Sequence, residues 1–298
     1  MASFHTIGII GKQHDTGRVR TTIERLVGFL RGRSQHLLFD PASGALLRQP
    51  AAQVVPIATI AARCDLAIVV GGDGTFLAAA RALATNDIPL VGINLGRLGF
   101  LVDVSPDEIE ETLSSILDGE YQEEKRCLLS GFVNDSPEPP SRYLAFNDIV
   151  VHKWNTARMI ELETRIDGVL VNVQRADGLI VATPTGSTAY ALSGGGPLLD
   201  PSLNALVLVP ICPHTLSNRP LVVSGHCRIE IRVAEADRSH VRVTCDGQTN
   251  LSSPCHERIL IRQSPHPVRL LHPKGHDHFA ILRAKLGWGG HPHDHRPC

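Results

Sequence analysis

The sequence predicts an α/β domain followed by a mainly antiparallel, all-β domain, because the hydrophobic pattern changes along its 298 residues. Up to about residue 125, nearly continuous apolar runs alternate with segments of helical spacing, as expected for parallel strands that are buried on both faces. Beyond that point, apolar and polar residues alternate with a period of two, which is typical of antiparallel strands. A chain of this length can bury the cores of two domains.

Apolar runs and helix signals define the elements of the first domain. Strands are predicted at residues 4–10, 37–39, 66–70 and 89–94. A helix is predicted where apolar residues recur at helical spacing, at Val19, Ile23, Leu26, Val27 and Leu30. A second helix begins at a capping box that opens with Ser105 and Pro106, and Gly119 can end it. The domain is Rossmann-like, although it contains neither G-x-G-x-x-G after its first strand nor a P-loop, so a standard dinucleotide fold is disfavoured.

The second domain is predicted from shorter, alternating strands. Residues 159–166 and 169–174, joined by Asp167-Gly168, predict a β-hairpin. Further strands are predicted at residues 205–209, 227–233, 241–245, 258–261 and 268–271. An apolar stripe over residues 279–288 predicts a C-terminal helix that returns to the first domain. The expected boundaries are 1–125 for the α/β domain, 126–275 for the β domain, and 276–298 for the final helix and a His-rich tail.

Composition excludes several classes of protein. The net charge is −1, so we expect neither nucleic acid nor an anionic membrane as a partner. No apolar run approaches the roughly 20 residues of a membrane span, and no signal peptide is evident, so a cytoplasmic location is expected. The seven cysteines lack C-x-x-C spacing, which argues against a disulfide framework or zinc ribbon. Many of the 15 histidines lie late in the chain, and we interpret residues 291–295 as a polar tail without fixed ligand geometry.

The most informative stretch is the glycine-rich turn that follows the predicted strand at 66–70. Gly71, Gly72 and Gly74 enclose Asp73, and a helical run follows directly. Glycines at a strand-to-helix turn let backbone N–H groups approach a phosphate. A carboxylate would repel that phosphate, so Asp73 is better explained as a metal ligand or as the acceptor of a hydroxyl proton. An ordinary tight turn remains the alternative, since Asp and Gly are common turn residues.

Three polar clusters interrupt the apolar runs of the second domain. Asn147-Asp148 lies between two apolar triplets, and the pair either binds a ligand or faces water at a strand end. Residues 175–178 end a strand, and their turn chemistry favours a hairpin there. Residues 183–197 carry four hydroxyl side chains before Tyr190 together with several glycines. Such a loop is suited to donating hydrogen bonds to a phosphate or a purine edge.

Together these motifs resemble the NAD kinase family of the bacterial type. The resemblance rests on Gly-Gly-Asp-Gly-Thr at 71–75, Asn-Asp at 147–148 and Thr-Pro-Thr-Gly-Ser-Thr-Ala-Tyr at 183–190, in that order. Three further segments resemble the family, at residues 94–101, 245–248 and 285–288. The match spans residues 5–288, and although the glycine loop is shared with lipid kinases, its combination with the 183–190 loop is specific.

The resemblance implies that the enzyme transfers the γ-phosphoryl group of ATP, or of another donor, to the 2′-hydroxyl of the adenosine ribose of NAD. Asp73 would accept or orient the hydroxyl proton, and Gly72 and Gly74 would frame the phosphate region. The residues that would bind NAD are Asn147, Asp148, Arg158, Arg175, Asp177, Thr188, Ala189, Tyr190, Ser193 and Gln248. No cluster of three carboxylates is present, so Mg²⁺ or another divalent cation is expected to be held largely by nucleotide phosphates and water.

Two alternative functions stay open at this stage. A lipid kinase shares the glycine loop but needs an apolar acceptor pocket, whereas residues 143–193 supply amides, hydroxyls and carboxylates. A non-catalytic dinucleotide sensor would keep the polar face but would not need Asp73. The family resemblance and exposed sheet edges also imply a homodimer or homotetramer.

Overall fold

The computed structural model of the protein describes residues 4–12, 17–33, 35–47, 53–96, 99–133, 143–250 and 257–288. The chain forms two compact units. The first comprises residues 1–124 and 269–298, and the second comprises residues 125–268. The His-rich tail at 291–295, for which the sequence analysis expects no fixed geometry, lies outside the described residues.

The first unit begins with alternating strands and helices. In chain order these elements are β1 (Thr6–Gly11), α1 (Gly17–Gly32), β2 (His36–Phe39), α2 (Pro41–Leu46), β3 (Gln53–Val54), α3 (Ile57–Arg63), β4 (Leu66–Gly71), α4 (Asp73–Leu83), β5 (Leu90–Asn94), α5 (Ile109–Leu117) and β6 (Tyr121–Arg126). Helix α5 follows a 3₁₀ turn in which the Ser105 side chain accepts the N–H of Asp107, as the predicted N-terminal cap requires.

The second unit consists almost entirely of strands. In chain order its elements are β7 (Leu129–Val133), β8 (Tyr143–Ala145), β9 (Asp148–Lys153), β10 (Ile160–Ile166), β11 (Val169–Ala176), β12 (Gly178–Ala182), α6 (Tyr190–Ser193), β13 (Ala205–Ile211), β14 (Leu221–Ser224), β15 (Ile229–Val233), β16 (Val241–Cys245), β17 (Thr249–Asn250) and β18 (Arg258–Gln263). The chain then continues into β19 (Val268–Pro273) and α7 (His278–Leu286).

The sheet of the first unit has the strand order β3-β2-β1-β4-β5-β19-β6. Strands β1 to β5 pair in parallel, and every residue of β4 is buried. The apolar stripe of α1 packs into the same core. The strand order reverses direction between β1 and β4, and open α/β sheets bind ligands beyond the carboxyl ends of strands at such a switch point. The glycine turn after β4 lies at this position.

One strand belongs to a different sheet from the one predicted. Residues 268–271 are predicted to join the antiparallel strands, but β19 pairs in parallel with β5 through Leu270 and Leu90. An apolar pattern predicts that a segment is a strand, whereas its partner is chosen by long-range packing. The C-terminal helix does belong to the first unit, as predicted, and buries Ile281 and Leu282.

The second unit contains two antiparallel six-stranded sheets, ordered β11-β10-β15-β18-β7-β8 and β14-β13-β12-β9-β16-β17. Apolar side chains from both sheets form one core between them. On the second sheet, Val150, Ile180 and Val207 point to the opposite face and pack against Ala191 and Leu199. Strands β9 and β12 are therefore covered on both faces, which explains their continuous apolar runs.

The prediction of a hairpin at residues 175–178 is wrong. Strand β11 ends at Ala176 in one sheet, and β12 begins at Gly178 in the other sheet, so Asp177 alone connects the two. Gly178 is needed for close packing, since a Cβ there would lie 2.4 Å from the backbone oxygen of Val151. Asp177-Gly178 therefore connects a strand of one sheet to a strand of the other sheet, and it does not form a hairpin turn. The predicted hairpin at Asp167-Gly168 does form between β10 and β11.

Candidate active site

Asp73 is the first residue of α4, directly after the glycine turn. Its Oδ2 accepts the N–H of Phe100 at 3.1 Å, and its Oδ1 accepts the N–H of Leu101 at 3.2 Å. A Cβ at residue 99 would lie 2.3 Å from Asp73 Oδ1, so glycine at that position lets the 99–101 backbone approach the carboxylate. Asp73 is therefore held in a defined orientation at the carboxyl edge of the parallel sheet, with its side chain only partly buried. The flanking Gly72 and Gly74 are exposed at the start of the helix.

The Asn147-Asp148 segment is held by a carboxylate that the sequence analysis did not assign. Asp246 accepts the backbone N–H of Phe146 at 3.0 Å, of Asn147 at 2.7 Å and of Asp148 at 3.2 Å. Asp246 lies in a tight turn after β16, and both it and Gly247 have positive φ angles. The Asp-Gly dipeptide between two strands signals such a turn in the sequence. Its contact with residues about 100 positions earlier leaves no local signal.

Asp148 is a buried carboxylate with an unusual protonation equilibrium. Burial, followed by the nearby charge of Asp246, raises the pKa of Asp148 to about 7. Asp148 is the first residue of β9, and it is almost inaccessible to solvent. Near neutral pH both forms of the Asp148 carboxyl group are therefore populated. The protonated form can donate a hydrogen bond, whereas the ionised form only accepts. The expectation of a pair at a water-facing strand end does not apply to Asp148.

The four hydroxyl side chains of the 183–188 loop all form hydrogen bonds within the protein. Thr183 Oγ1 donates to the carbonyl of Phe146 at 2.7 Å, and Ser187 Oγ donates to that of Pro184 at 2.6 Å. Thr185 Oγ1 accepts from Arg126 at 3.1 Å. The prediction that the loop binds a phosphate or a purine edge therefore rests on its other groups, because Thr183, Thr185 and Ser187 are buried. They stabilise a compact turn instead of lining a site.

A cavity of about 350 Å³ brings four of the predicted NAD ligands together. Asn147, Asp148, Ala189 and Tyr190 all line it, although more than 40 residues separate the two pairs. The other lining residues were not predicted from the sequence, and they are Val150, His152, Thr244, Asp246 and Gly247. Val150 and His152 follow Asp148 at every second position of β9, so strand periodicity alone predicts that they share its face.

Two other predicted ligands line a different cavity. Arg158 and Arg175 border a space of about 560 Å³, together with His214 and Asp237. Arg175 is exposed, with its Nε 3.5 Å from Glu161 Oε2. Asp177 forms an ion pair with Lys153, with 2.7 Å between Oδ1 and Nζ. None of these three charged residues is among those that line the first cavity.

The remaining predicted ligands flank the first cavity without lining it. Thr188 is partly buried, and its Oγ1 donates to the carbonyl of Thr185 at 3.0 Å. Ser193 is exposed at the end of the single-turn helix α6. Gln248 is exposed after the Asp246-Gly247 turn, and its N–H donates to the carbonyl of Cys245.

The described residues contain one group of three side chains with convergent metal-ligand atoms, formed by Asp103, His272 and His276. Both histidine Nδ1 atoms lie 2.8 Å from the same Asp103 oxygen, and the two rings stack with centroids 3.8 Å apart. The short contacts are those of N–H groups donating to a shared carboxylate. Two imidazoles also do not suit Mg²⁺, which prefers oxygen ligands. Asp73 is the acidic side chain that a cation could meet at the glycine turn.

Comparison with known proteins decides the family. A family model described as the ATP-NAD kinase N-terminal domain matches residues 7–121, and one described as the ATP-NAD kinase C-terminal domain matches residues 146–273. The chain belongs to the NAD kinase family. It is an enzyme of the phosphotransferase class, as its curated relatives show. The lipid-kinase and sensor alternatives are not favoured.

Relatives of this NAD kinase family member match over almost its whole length. It is 50% identical over 294 residues to the NAD kinase of Halorhodospira halophila, which covers 96% of this chain and 94% of the relative. It is 48% identical over 286 residues to the NAD kinase of Nitrosococcus oceani, covering 96% of this chain and 97% of the relative.

Two solved structures share the fold. Yeast NADH kinase complexed with NADH superimposes with a TM-score of 0.86 at 25% identity, covering 97% of this chain and 89% of that chain. An NAD kinase from Archaeoglobus fulgidus in complex with ATP has a TM-score of 0.75 at 29% identity, covering 96% of this chain and all of that one. The predicted fold class is therefore confirmed.

Proposed function

We propose that the protein phosphorylates NAD at the 2′-hydroxyl of its adenosine ribose, taking the γ-phosphoryl group from ATP or another donor. The observation that carries the proposal is the cavity in which Asn147, Asp148, Ala189 and Tyr190 converge. These residues come from the two motifs of the second unit on which the family resemblance rests. A neighbour solved with NADH and another solved with ATP support the two classes of substrate.

The cavity offers both a stacking surface and hydrogen-bonding groups, which together can bind a nucleoside. Tyr190 is 47% exposed, so its ring offers a face on which a flat base can stack. The Asn147 amide both donates and accepts hydrogen bonds, and Asp148 can bind hydroxyl or N–H groups. Because Asp246 holds the 146–148 backbone, these groups are oriented before a ligand arrives, which reduces the entropy lost on binding.

Asp73 supplies the proton acceptor in this proposal. A ribose hydroxyl is a weak acid, so a positioned carboxylate assists its attack on phosphorus by orienting it and receiving its proton. The N–H groups of Phe100 and Leu101 orient Asp73, and each carboxylate oxygen keeps a lone pair for the substrate. Gly72 and Gly74, at the N-terminus of α4, would frame the phosphates with backbone N–H groups.

A divalent cation such as Mg²⁺ belongs to the same proposal. Mg²⁺ is commonly bound by one or two carboxylates, substrate phosphates and water, and a single carboxylate at the glycine turn fits that pattern. Donor phosphates and water would supply most of its ligands, and one oxygen of Asp73 would contact it, which leaves the other oxygen for the hydroxyl proton. When bound, the cation would neutralise negative charge on the transferring group.

The proposal includes the other NAD ligands that the family resemblance implies. Arg158 and Arg175 both line the second cavity, and their guanidinium groups suit the phosphates of a dinucleotide. Asp177 would need to exchange its ion pair with Lys153 for a ligand contact. Thr188, Ser193 and Gln248 would bind at the margin of the first cavity.

We also propose that the protein is a homodimer or homotetramer. Strand β11 is the edge of its sheet, and Val169, Val171 and Val173 are exposed by 70%, 40% and 55%. An apolar edge strand with unpaired backbone groups is a surface that proteins usually cover. A second copy of the chain would pair with it.

A cytoplasmic location remains part of the proposal. The five described cysteines are all free thiols, which suits a reducing compartment. No helix in the described ranges is long and apolar enough to cross a membrane.

The decisive experiment is an assay of NADP formation by the purified protein. NAD and NADH are each offered with ATP or inorganic polyphosphate, with Mg²⁺ or with EDTA. We expect NADP or NADPH to form with at least one donor and to require the cation. A parallel reaction with diacylglycerol and radiolabelled ATP should yield no product. If NAD binds but no donor gives NADP, the proposed function is wrong.

A further inference from the structure

We propose that His152 is a further specificity-determining residue of the dinucleotide site, and that its Nε2 accepts a hydrogen bond from an NH₂ group on a ring edge of the ligand. Two groups of NAD have this chemistry, the 6-amino group of adenine and the carboxamide of nicotinamide. The inference deepens the proposed function and rests on it.

Strand periodicity brings His152 into the cavity. Residues 148, 150 and 152 of β9 share one face, and all three line the same space as Tyr190. The intervening Ile149 and Val151 point into the core between the sheets. Across the ladder, His152 lies opposite Gly178, where a Cβ would be 3.0 Å from the His152 Cβ. Glycine at position 178 therefore leaves room for the imidazole.

A backbone contact determines the tautomer of His152. Its Nδ1 lies 3.0 Å from the carbonyl oxygen of Lys153. A carbonyl only accepts hydrogen bonds, so Nδ1 carries the hydrogen and donates it. In the neutral ring, Nε2 then carries a lone pair and is an acceptor.

The surroundings keep this ring neutral. Burial lowers the pKa of His152 below its ordinary value, the Lys153 contact opposes this, and the charge of Arg242 lowers the pKa further. Arg242 lies opposite His152 in the β9–β16 ladder, with its guanidinium 3.3 Å from the centroid of the Trp154 ring. The aromatic face holds this cation close to the imidazole.

His152 Nε2 makes no hydrogen bond to the described part of the chain. A partly buried acceptor of this kind is best satisfied by a donor that enters with the ligand. Because Tyr190 offers a stacking face in the same cavity, a flat ring bound there presents its edge to the strand residues. The NH₂ groups of adenine and of the nicotinamide carboxamide are the hydrogen-bond donors on the ring edges of NAD, and one of these two groups is the partner of His152 Nε2.

The test compares binding of NAD with two analogues by calorimetry, without a phosphoryl donor. Nicotinamide hypoxanthine dinucleotide lacks the adenine amino group, and 3-acetylpyridine adenine dinucleotide lacks the carboxamide NH₂. We expect the protein to bind NAD roughly three- to tenfold more tightly than one of them, as for a single hydrogen bond. The disfavoured analogue identifies the group that His152 contacts.

Variants at position 152 then decide the role of the imidazole. His152→Phe should remove the preference, and His152→Gln should restore part of it, because the amide oxygen reaches the position of Nε2. His266→Phe, at an exposed turn of the same unit, is the matched control and should keep the full preference. If His152→Phe does not fold, judged by circular dichroism, His152→Asn replaces it, since its shorter side chain leaves the Nε2 position empty.

Two outcomes would overturn the inference. One is an absence of preference between NAD and both analogues in the unmodified protein. The other is a preference that survives in His152→Phe or His152→Asn. A failure of the proposed function is separate, because it appears as NAD binding without NADP formation, and the binding ratios still decide the role of His152.

Discussion

Gly186 lies so close to Asn147 that a Cβ on residue 186 would be 2.0 Å from the Asn147 backbone oxygen. Gly186 is buried in the hydroxyl-rich turn, and Asn147 precedes β9, so this contact joins the two motifs that line the cavity. No side chain fits between them. Glycine at position 186 is thus a requirement of the site and not only of the turn.

Gly186→Ala should destabilise the protein by about 2 kcal/mol or more, because either the turn or the Asn147 backbone must move. NAD binding should weaken as well. Denaturant unfolding and calorimetry measure both effects. Gly28→Ala is the control, since its Cβ would meet nothing within 4 Å on α1 and should stabilise that helix. Unchanged stability in Gly186→Ala would show that the contact is looser than described.

Asp73→Asn should remove most turnover while NAD still binds. An amide cannot receive the hydroxyl proton, so we expect kcat to fall by about 100-fold or more, with KM for NAD changed by less than about threefold. Steady-state assays of NADP formation give both constants. Glu24→Gln, which removes an exposed carboxylate from α1, should leave them unchanged. Full activity in Asp73→Asn would refute the role of this carboxylate.

Asp148 should make the unliganded protein less stable as pH rises. Its folded pKa of about 7 lies above the unfolded value, so the folded state binds the proton more tightly. Stability from this group is complete below about pH 4 and is lost as pH rises toward 7, by up to about 1.4 kcal/mol per pH unit. Urea unfolding between pH 4 and 8 measures this slope. Asp148→Asn should flatten it, whereas Glu24→Gln should not. An identical slope in both variants would contradict the assignment.

The cluster of Asp103, His272 and Glu124 should stabilise the first unit between about pH 4 and 6.5. Burial raises the pKa of Asp103, but hydrogen bonds from His272 and His276 outweigh it and lower the pKa to about 2. Burial lowers the pKa of His272, but Asp103 and Glu124 outweigh it and raise the pKa overall. The Asp103 contribution is therefore lost as pH falls toward 2, and the His272 contribution is lost as pH rises through its raised pKa.

His272→Gln tests this window. It should cost about 3 kcal/mol near pH 5.5, since it removes the charged His272 and leaves the largely buried Asp103 carboxylate with only His276, and less above the raised pKa of His272. Urea unfolding at both pH values provides the comparison. His36→Gln, an exposed histidine of the same unit, should show no such difference. A cost that is the same at both pH values would mean that His272 stays neutral.

The β11 edge should mediate self-association. Val173→Lys adds a charge to the exposed apolar strand, so we expect the dimer or tetramer to dissociate. Light scattering after size-exclusion chromatography measures the mass. Leu216→Lys is the matched control, because Leu216 is 92% exposed outside any strand and should not affect assembly. A monomeric unmodified protein, or an unchanged mass in Val173→Lys, would overturn this proposal.

Local patterns predicted the elements of the fold well. The apolar stripe of α1, the buried strand β4 and the Asp167-Gly168 hairpin each follow from residues close together in the chain. The glycine turn with Asp73 was found in the same way, because a strand, a turn and a helix are adjacent in sequence. Features that depend on a local turn or on a hydrophobic period of two to four residues can be predicted without the tertiary structure.

Long-range relationships could not be predicted in this way. Asp246 accepts the backbone N–H of Asn147, which lies about 100 residues earlier in the chain. Strand β19 pairs with β5, although the whole second unit lies between them in the sequence. The hydroxyls of Thr183 and Ser187 have the composition of ligand donors, yet burial commits them to backbone carbonyls. The sequence by itself determined the family, the two-domain architecture and four of the nine residues that line the cavity. Only the tertiary structure decided which polar groups stay available to a ligand, because that depends on burial and on partners from distant strands.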